Sequence, residues 1–355
     1  MRSLLQRLGI ALGLTLTLAF IFILVWSRQP AQALRAFFLS PFLNRNVFLS
    51  MLEQAAPLLL CSLGALVAFR AGHFSLGGEG QLYAGACLAA LVGGGLARWL
   101  PAAATASTGV WLTLAAQGAV LLAGMAGGLL VAAPPALGSR LAGADVLLTS
   151  FLVSQAAILV VDSLIGGALR DTANNLVAMP TIADLARLPR LARPSALTSA
   201  PFIALAACLW LWFFMERSRG GRKLSLYGKN RAFAGLMGYP VRRLAWSPML
   251  AAGALHGLAG ASLVQGVNGT AIRGMSGGLG WSAIGVALIA SNRPALVPAA
   301  ALLFAWLDSG ARQASVLADI PVELSLIVKA TVIMGITLRP LWRSLRAKRF
   351  TGERL

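Results

Sequence analysis

The chain is 355 residues long, 58% hydrophobic and only 12% charged, with a net charge of +19. Soluble domains carry about a quarter of their residues charged, so this chain could not cover a soluble surface, and that class is excluded. The basic excess lies in short segments between apolar runs and forms no basic aromatic face, so it reads as membrane orientation, and no nucleic-acid partner is expected. The fold class is therefore an all-α polytopic membrane protein, a single transmembrane domain over residues 1–355 embedded in a lipid bilayer.

The first apolar run, Leu8–Trp26, is flanked by Arg2, Arg7 and Arg28. Ala31-Gln32-Ala33 offers a small-x-small site, but the run exceeds the ~7–15 apolar residues of a signal peptide, so 8–26 is expected to be a retained first span. Val47–Phe69 is the second span, with Pro57 inside it and Glu53 expected to be solvated near one end. A Gly-rich polar break, Arg70 to Tyr83, follows and overlaps the third span, Gly80–Ala97. Val110–Ala133 is the fourth, where Gly124 and Gly128 make a small-xxx-small packing face. Pro134-Pro135 is expected to end it. Val146–Ile165 is the fifth. Residues 166–198, with Pro180, Pro189 and Pro194, read as an outer loop, and Ala200–Met215 as the sixth span.

The interval 216–247 sets Arg217, Arg219, Arg222, Lys223, Lys229, Arg231, Arg242 and Arg243 against the single acid Glu216. By the positive-inside rule this loop is cytoplasmic. Within it Asn230 can cap a short helix that Gly238 and Pro240 stop. Phe233, Leu236 and Met237 then fall on one apolar stripe, for docking into a partner or for lying in the lipid interface.

Met249–Val267 is the seventh span, with Gly253 and Gly257 spaced for packing. Asn268–Gly280 is polar and Gly-rich. Trp281–Ala290 and Leu296–Leu307 are each shorter than the ~20 residues a perpendicular span needs, and 291–294 separates them. Such pieces fit broken helices packed inside protein, because irregular backbone is not tolerated against lipid. Val322–Leu338 is the last span, and 339–355 a basic cytoplasmic tail. Counting both short pieces as crossings gives about ten, with both termini cytoplasmic and the larger share of Lys and Arg inside. The other arrangement makes the pair a re-entrant hairpin, with Arg293 at membrane depth.

No Walker sequence is present, since Gly220-Gly221-Arg222-Lys223 lacks the required spacing, so ATP hydrolysis would belong to another chain. No nucleophile triad, H-E-x-x-H or CxxC occurs, and Cys61, Cys87, Cys208, His73 and His256 show no metal-ligand spacing. Neither an enzyme, a cofactor nor a metal is expected. Ionisable groups within the membrane default to functional candidates. Glu79 lies in the Gly-rich break, where it could line a cavity or complement a helix N-terminus. Lys329 lies midway through the last span and either faces a wet path or pairs with Glu323 or Asp308. His256 reads as a hydrogen-bonded packing residue.

The run Phe69–Gly85, with Arg70-Ala-Gly-His-Phe-Ser-Leu-Gly-Gly-Glu-Gly-Gln81 at its heart, resembles the RAGxFNIGAEGQ signature of nucleoside and simple-sugar permeases of ATP-binding-cassette importers, in the branched-chain amino acid/ribose permease superfamily. Asp145-Val146 with Thr149 resembles that group's NEV-x-x-T step, and Leu169-Arg170-Asp171 its outer-loop RD. Gly228–Gly238 is similar to its GxNxxAAxYAG loop, and Gly277–Leu288 with Ile320-Pro321 to its C-terminal signature. The likeness runs from about residue 47 to near the C-terminus. It departs at His73 and Ser75, at Gly235 where an Arg is usual, and at Lys329 where a Gln is common.

The resemblance implies a permease subunit in a bacterial inner (plasma) membrane. Its partners would be a second permease chain, identical or homologous, cytoplasmic ATP-binding subunits and an extracytoplasmic solute-binding protein. The solute would be small and polar, a nucleoside ahead of a simple sugar, although a cation at Lys329 would favour an anionic one. The implied solute path is Ser75, Glu79, Gln81, Asn268, Ser276 and Lys329. The implied ATPase-coupling segment is Gly228, Asn230, Arg231, Phe233, Leu236, Met237 and Gly238. The rival readings are a secondary transporter coupled to an ion gradient through Glu79, Lys329 or His256, and a passive channel.

Overall fold

A computed structural model of the chain describes residues 20–99, 109–173, 175–318, 320–323 and 326–331, together with residues 13 and 17. Of the expected first span, residues 20–26 are helical; most of 322–338 and all of the tail 339–355 lie outside the described residues. The described backbone is helical, with two isolated β-bridges, Ala178–Ile272 and Arg190–Thr198, in place of strands. Seven described helices are long and apolar enough to cross a bilayer.

The chain divides into two compact units, residues 49–302 and residues 1–48 with 303–355. The larger unit is built on α1 (Arg45–Arg70), α2 (Gly78–Trp99), α3 (Val110–Ala142), α4 (Val146–Gly166) and α5 (Ala200–Arg217). These are followed by α6 (Arg219–Lys229), α7 (Arg231–Leu236), α8 (Ser247–Leu263, continued by a π turn at Val264–Asn268) and α9 (Leu279–Ile289). In α1, 83% of the apolar stretch is buried, against 22% in α4 and 28% in α5. A helix apolar on every side belongs inside, so α1 is interior while α4 and α5 turn apolar faces outward.

Small residues set the core. A Cβ on Gly128 would fall 2.0 Å from the Gly253 carbonyl, one on Gly257 2.1 Å from that of Gly124, and one on Gly85 2.4 Å from Cα of Gly257. Backbones of α2, α3 and α8 therefore touch directly, as the small-xxx-small spacing predicts. α3 does not end at Pro134-Pro135 but runs on to Ala142, where Gly143 turns left-handed at φ 64°. The two prolines remove two N–H donors, a loss that transmembrane helices tolerate. The final turns are held by Arg140, whose guanidinium lies 5.9 Å from the Trp246 ring.

The segment 269–289 of this unit is an irregular stretch that leads into the short apolar helix α9. Residues 269–272 lie along the 166–198 loop, with Met179 N–H bonded to the Ala271 carbonyl at 3.0 Å. α9 then ends beside the basic interval, where the Asn292 carbonyl accepts from Arg70.

In the smaller unit, residues 30–43 form a helical run interrupted by a π segment, Arg35–Leu39. Phe37, Phe38, Phe42 and Trp306 form a chain of ring contacts. α10 (Val297–Ala318) enters this unit and has 22 residues, not the short Leu296–Leu307 piece that the polar residues 308–313 suggest. It continues because Asp308 is paired: Lys329 Nζ lies 2.8 Å from its Oδ1.

Candidate functional site: the carboxylate node and the basic loop

The Gly-rich break begins where α1 stops. The chain turns at Gly72 (φ 74°) and runs back into the unit through residues 73–77 before α2 starts. Gly78 sits so close to His256 that a Cβ there would lie 2.6 Å from Nε2. Glu79, in the first turn of α2, is only 5% exposed. Its Oε2 accepts from the Gly280 N–H at 2.7 Å, and its Oε1 takes a short hydrogen bond from Ser276 Oγ. The carboxylate thus caps α9 while belonging to the first turn of α2, and each position is favourable for an anion. Two irregular segments, 71–77 and 269–278, meet at this one side chain.

Supporting groups come from α4. Ser154 Oγ accepts from Gly80 N–H at 2.8 Å, and Ser150 Oγ from Leu76 N–H at 3.0 Å. Asp145 caps α4 by accepting from Leu148 N–H at 3.0 Å, and Thr149 bonds back to the Asp145 carbonyl at 2.6 Å. The Asp-Val-x-x-Thr motif is therefore the device that starts the helix bearing both serines. Their i, i+4 spacing was the available signal for them.

Of the expected path residues, Glu79 and Ser276 touch. Gln81 is buried nearby, with Nε2 beside Gly77, and Ser75 Oγ accepts from Gly77 N–H at 3.3 Å. Asn268 does not join them: it ends the π turn next to Gly269, which packs on Arg187 of the 166–198 loop. Lys329 lies in the other unit, 5% exposed, with Asp308 as its ion-pair partner and its Nζ 5.9 Å from the Phe304 ring. His256 Nδ1–H donates to the Ala252 carbonyl at 2.7 Å, as a packing histidine does. Glu53 is not solvated. It is 2% exposed and accepts from Thr198 N–H at 2.8 Å and Thr198 Oγ1 at 2.7 Å. A cavity of about 200 Å³ lies between α2 and the 166–198 loop, lined by Arg98, Leu169, Arg170, Met179 and Pro180 among others.

The basic interval folds into α6 and α7. Ser218 caps α6 through Gly221 N–H at 3.0 Å. Asn230 caps α7 through Phe233 N–H at 2.9 Å, and Gly238 closes it at φ 70°. Gly228 is pressed against α1: a Cβ there would lie 2.1 Å from the Arg70 carbonyl. Arg231 stacks 5.3 Å from the Tyr227 ring and its Nη2 reaches His73 Nδ1 at 3.4 Å. A guanidinium can only donate, so Nδ1 accepts and the neutral ring carries its proton on Nε2. Burial first, then the Arg231 charge, pushes the His73 imidazole down to about 4, with the backbone of Leu244 and Ala245 acting in the opposite sense. α7 buries only Ala234. Phe233, Leu236 and Met237 are 45%, 86% and 54% exposed, an apolar stripe that nothing in the described chain covers.

Two buried irregular segments that meet at one carboxylate, beside a capped helix with a bare apolar face, fit a transport permease. The model of the family described as branched-chain amino acid transport system / permease component matches residues 47–337, and the chain belongs to that family. It is 31% identical over 319 residues to the Probable riboflavin import permease protein RfuC of Treponema pallidum (strain Nichols), covering 89% of this chain and 80% of that one. It is 30% identical to the guanosine ABC transporter permease protein NupP of Bacillus subtilis (strain 168), covering 80% and 78%, and 27% identical to the glucose ABC transporter permease protein TsgB13 of Haloferax volcanii, covering 86% and 80%. No solved structure matches. The chain is thus a multi-pass integral membrane permease of the ABC-importer superfamily, a transport component and not a catalytic one.

Proposed function

We propose that this chain translocates a small polar solute, a nucleoside or similar ring-bearing molecule ahead of a simple sugar, across a bacterial inner membrane. It works beside a second permease chain, receives solute from an extracytoplasmic binding protein and is driven by cytoplasmic ATP-binding subunits. Its about ten crossings put the basic interval and both termini in the cytoplasm. The observation that carries the reading is the exposed Phe233–Leu236–Met237 stripe on a helix framed by basic side chains. An apolar helical face needs a groove, and the surrounding cations steer and frame the contact. The solute class rests on relatives named for guanosine, riboflavin and glucose. The Lys329 charge is matched by Asp308, so it supplies no preference for an anionic solute. Alternating access would work through the discontinuous segments 71–77 and 269–278, as discontinuous helices do in other transporters.

The test is capture of the ATP-binding subunits by the solubilised full chain. Wild type should retain them, and Phe233→Asp with Leu236→Asp should lose them while inserting normally. Undiminished capture by the double variant would remove α7 from the coupling role. Uptake of labelled guanosine, competed by riboflavin and by glucose, then sorts the solute class. Gradient-driven uptake without any ATP-binding subunit would favour the secondary-transporter reading.

A further inference from the structure

We infer that Arg70 is the positioning residue that carries movement of the basic interval to α9, and through α9 to the carboxylate node; the inference rests on the motor-coupling reading above. Arg70 is the last residue of α1, and its guanidinium spreads over three other elements. Nη2 donates to Glu216 Oε1 at 2.8 Å, at the end of α5. Nη1 donates to Ser225 Oγ at 3.2 Å, on α6. Nε donates to the Asn292 carbonyl at 2.8 Å, in the turn after α9. A planar fork of five donors can hold three acceptors in three directions at once; an ammonium on a flexible stem cannot.

The neighbouring contacts make this a linkage and not a surface ion pair. The Arg70 carbonyl abuts Gly228, so the last turn of α6, which leads directly into α7, rests on the end of α1. α9 is 11 residues, a rod of roughly 16 Å. Arg70 holds the turn at one end of it, and Glu79 holds the Gly280 N–H at the other. The turn itself is unusual: Ser291 and Asn292 both adopt left-handed backbone, at φ 52° and 54°, a conformation that non-glycine residues seldom take. That geometry aims the Asn292 carbonyl at Arg70. Glu216, the single acid among the basic side chains of its interval, is spent on this same fork.

The test uses the full complex of this chain with its ATP-binding subunits in lipid nanodiscs. Hydrogen exchange is followed in 219–238 and in 279–292 before and after addition of ATP with vanadate. In wild type both segments should respond. In Arg70→Lys, which keeps the charge, the response of 219–238 should persist while that of 279–292 falls at least about fivefold. Glu216→Gln, which leaves a neutral acceptor, should give an intermediate loss confined to 279–292. An undiminished response of 279–292 in assembled Arg70→Lys overturns the inference. So does loss of both responses together, or failure of that variant to assemble, since each would mean that Arg70 only maintains the fold. A wild-type chain that captures no ATP-binding subunit removes the motor-coupling reading itself, and the inference with it.

Discussion

Glu79 holds Ser276 Oγ and the Gly280 N–H from a site 5% exposed, so its two oxygens are committed to joining α2 and α9. Truncation to Ala would leave a buried hydroxyl and a helix-terminal N–H unpaired, at about 1–3 kcal/mol. Glu79→Ala is expected to lower the melting temperature of the purified permease and to cut uptake at least about tenfold. Glu79→Gln should retain more of the former than of the latter; wild-type uptake by an assembled Glu79→Ala variant would leave the node with a packing role alone. His73 makes a second residue-scale prediction. Its folded pKa is about 4 and its unfolded pKa near 6.5, so the unfolded chain takes up a proton that the folded one refuses. The contribution is constant above pH 6.5 and is lost as pH falls from 6.5 towards 4, by about 3 kcal/mol at most. Melting in detergent at pH 7.5 and pH 5 should show a larger drop for wild type than for His73→Gln, which keeps an acceptor for Arg231 without titrating. Equal drops would contradict the assignment. Neither residue's partners were legible beforehand: Ser276 is 197 residues from Glu79, and Arg231 is 158 from His73. A lone carboxylate in a chain shows its cost and not its compensation.

Elements whose cause is local were legible, and those whose cause is tertiary were not. The α7 cap at Asn230, its stop at Gly238 and its apolar stripe follow from residues within one turn of each other. The Gly124/Gly128 and Gly253/Gly257 spacing likewise announces the close contact of α3 with α8. α6 was missed because Gly220, Gly221 and a dense basic run hide a helix that Ser218 starts and Tyr227 buries. α3 past Pro135 and α10 past Leu307 were missed because Trp246 and Lys329, remote in sequence, support the continuation. The glycine contacts give a paired prediction. Gly257→Ala places a methyl 2.1 Å from the Gly124 carbonyl and should cost about 1–3 kcal/mol, seen as reduced yield and melting temperature. Gly235→Ala meets nothing nearer than Val241 Cγ2 at 3.7 Å and should be neutral or stabilise α7 by up to about 1 kcal/mol. A reversed order of these two variants would mean that the helices do not pack as described.

At the scale of the whole molecule, composition alone settled the class, and the order of motifs from residue 47 pointed to the family that the 47–337 match establishes. The spans were legible as apolar lengths. α9 was legible as the short piece Trp281–Ala290, but its anchoring by Arg70 at one end and Glu79 at the other was not. The 166–198 loop resisted reading for a related reason. Its order derives from bonds to distant segments, such as Gln265 Nε2 to the Ala186 carbonyl at 2.7 Å and Gln117 Nε2 to the Arg187 carbonyl at 2.8 Å.

The central claim is that the bare stripe of α7 receives mechanical work from separate ATP-binding subunits. Reconstitution of this chain with those subunits and the second permease chain in proteoliposomes tests it most directly, with solute accumulation followed as ATP is supplied on the α7 side. Wild type should accumulate solute only with ATP, and Leu236→Asp should accumulate none from an equal amount of inserted protein. Accumulation by wild type without ATP-binding subunits, or wild-type accumulation by Leu236→Asp, would contradict the account.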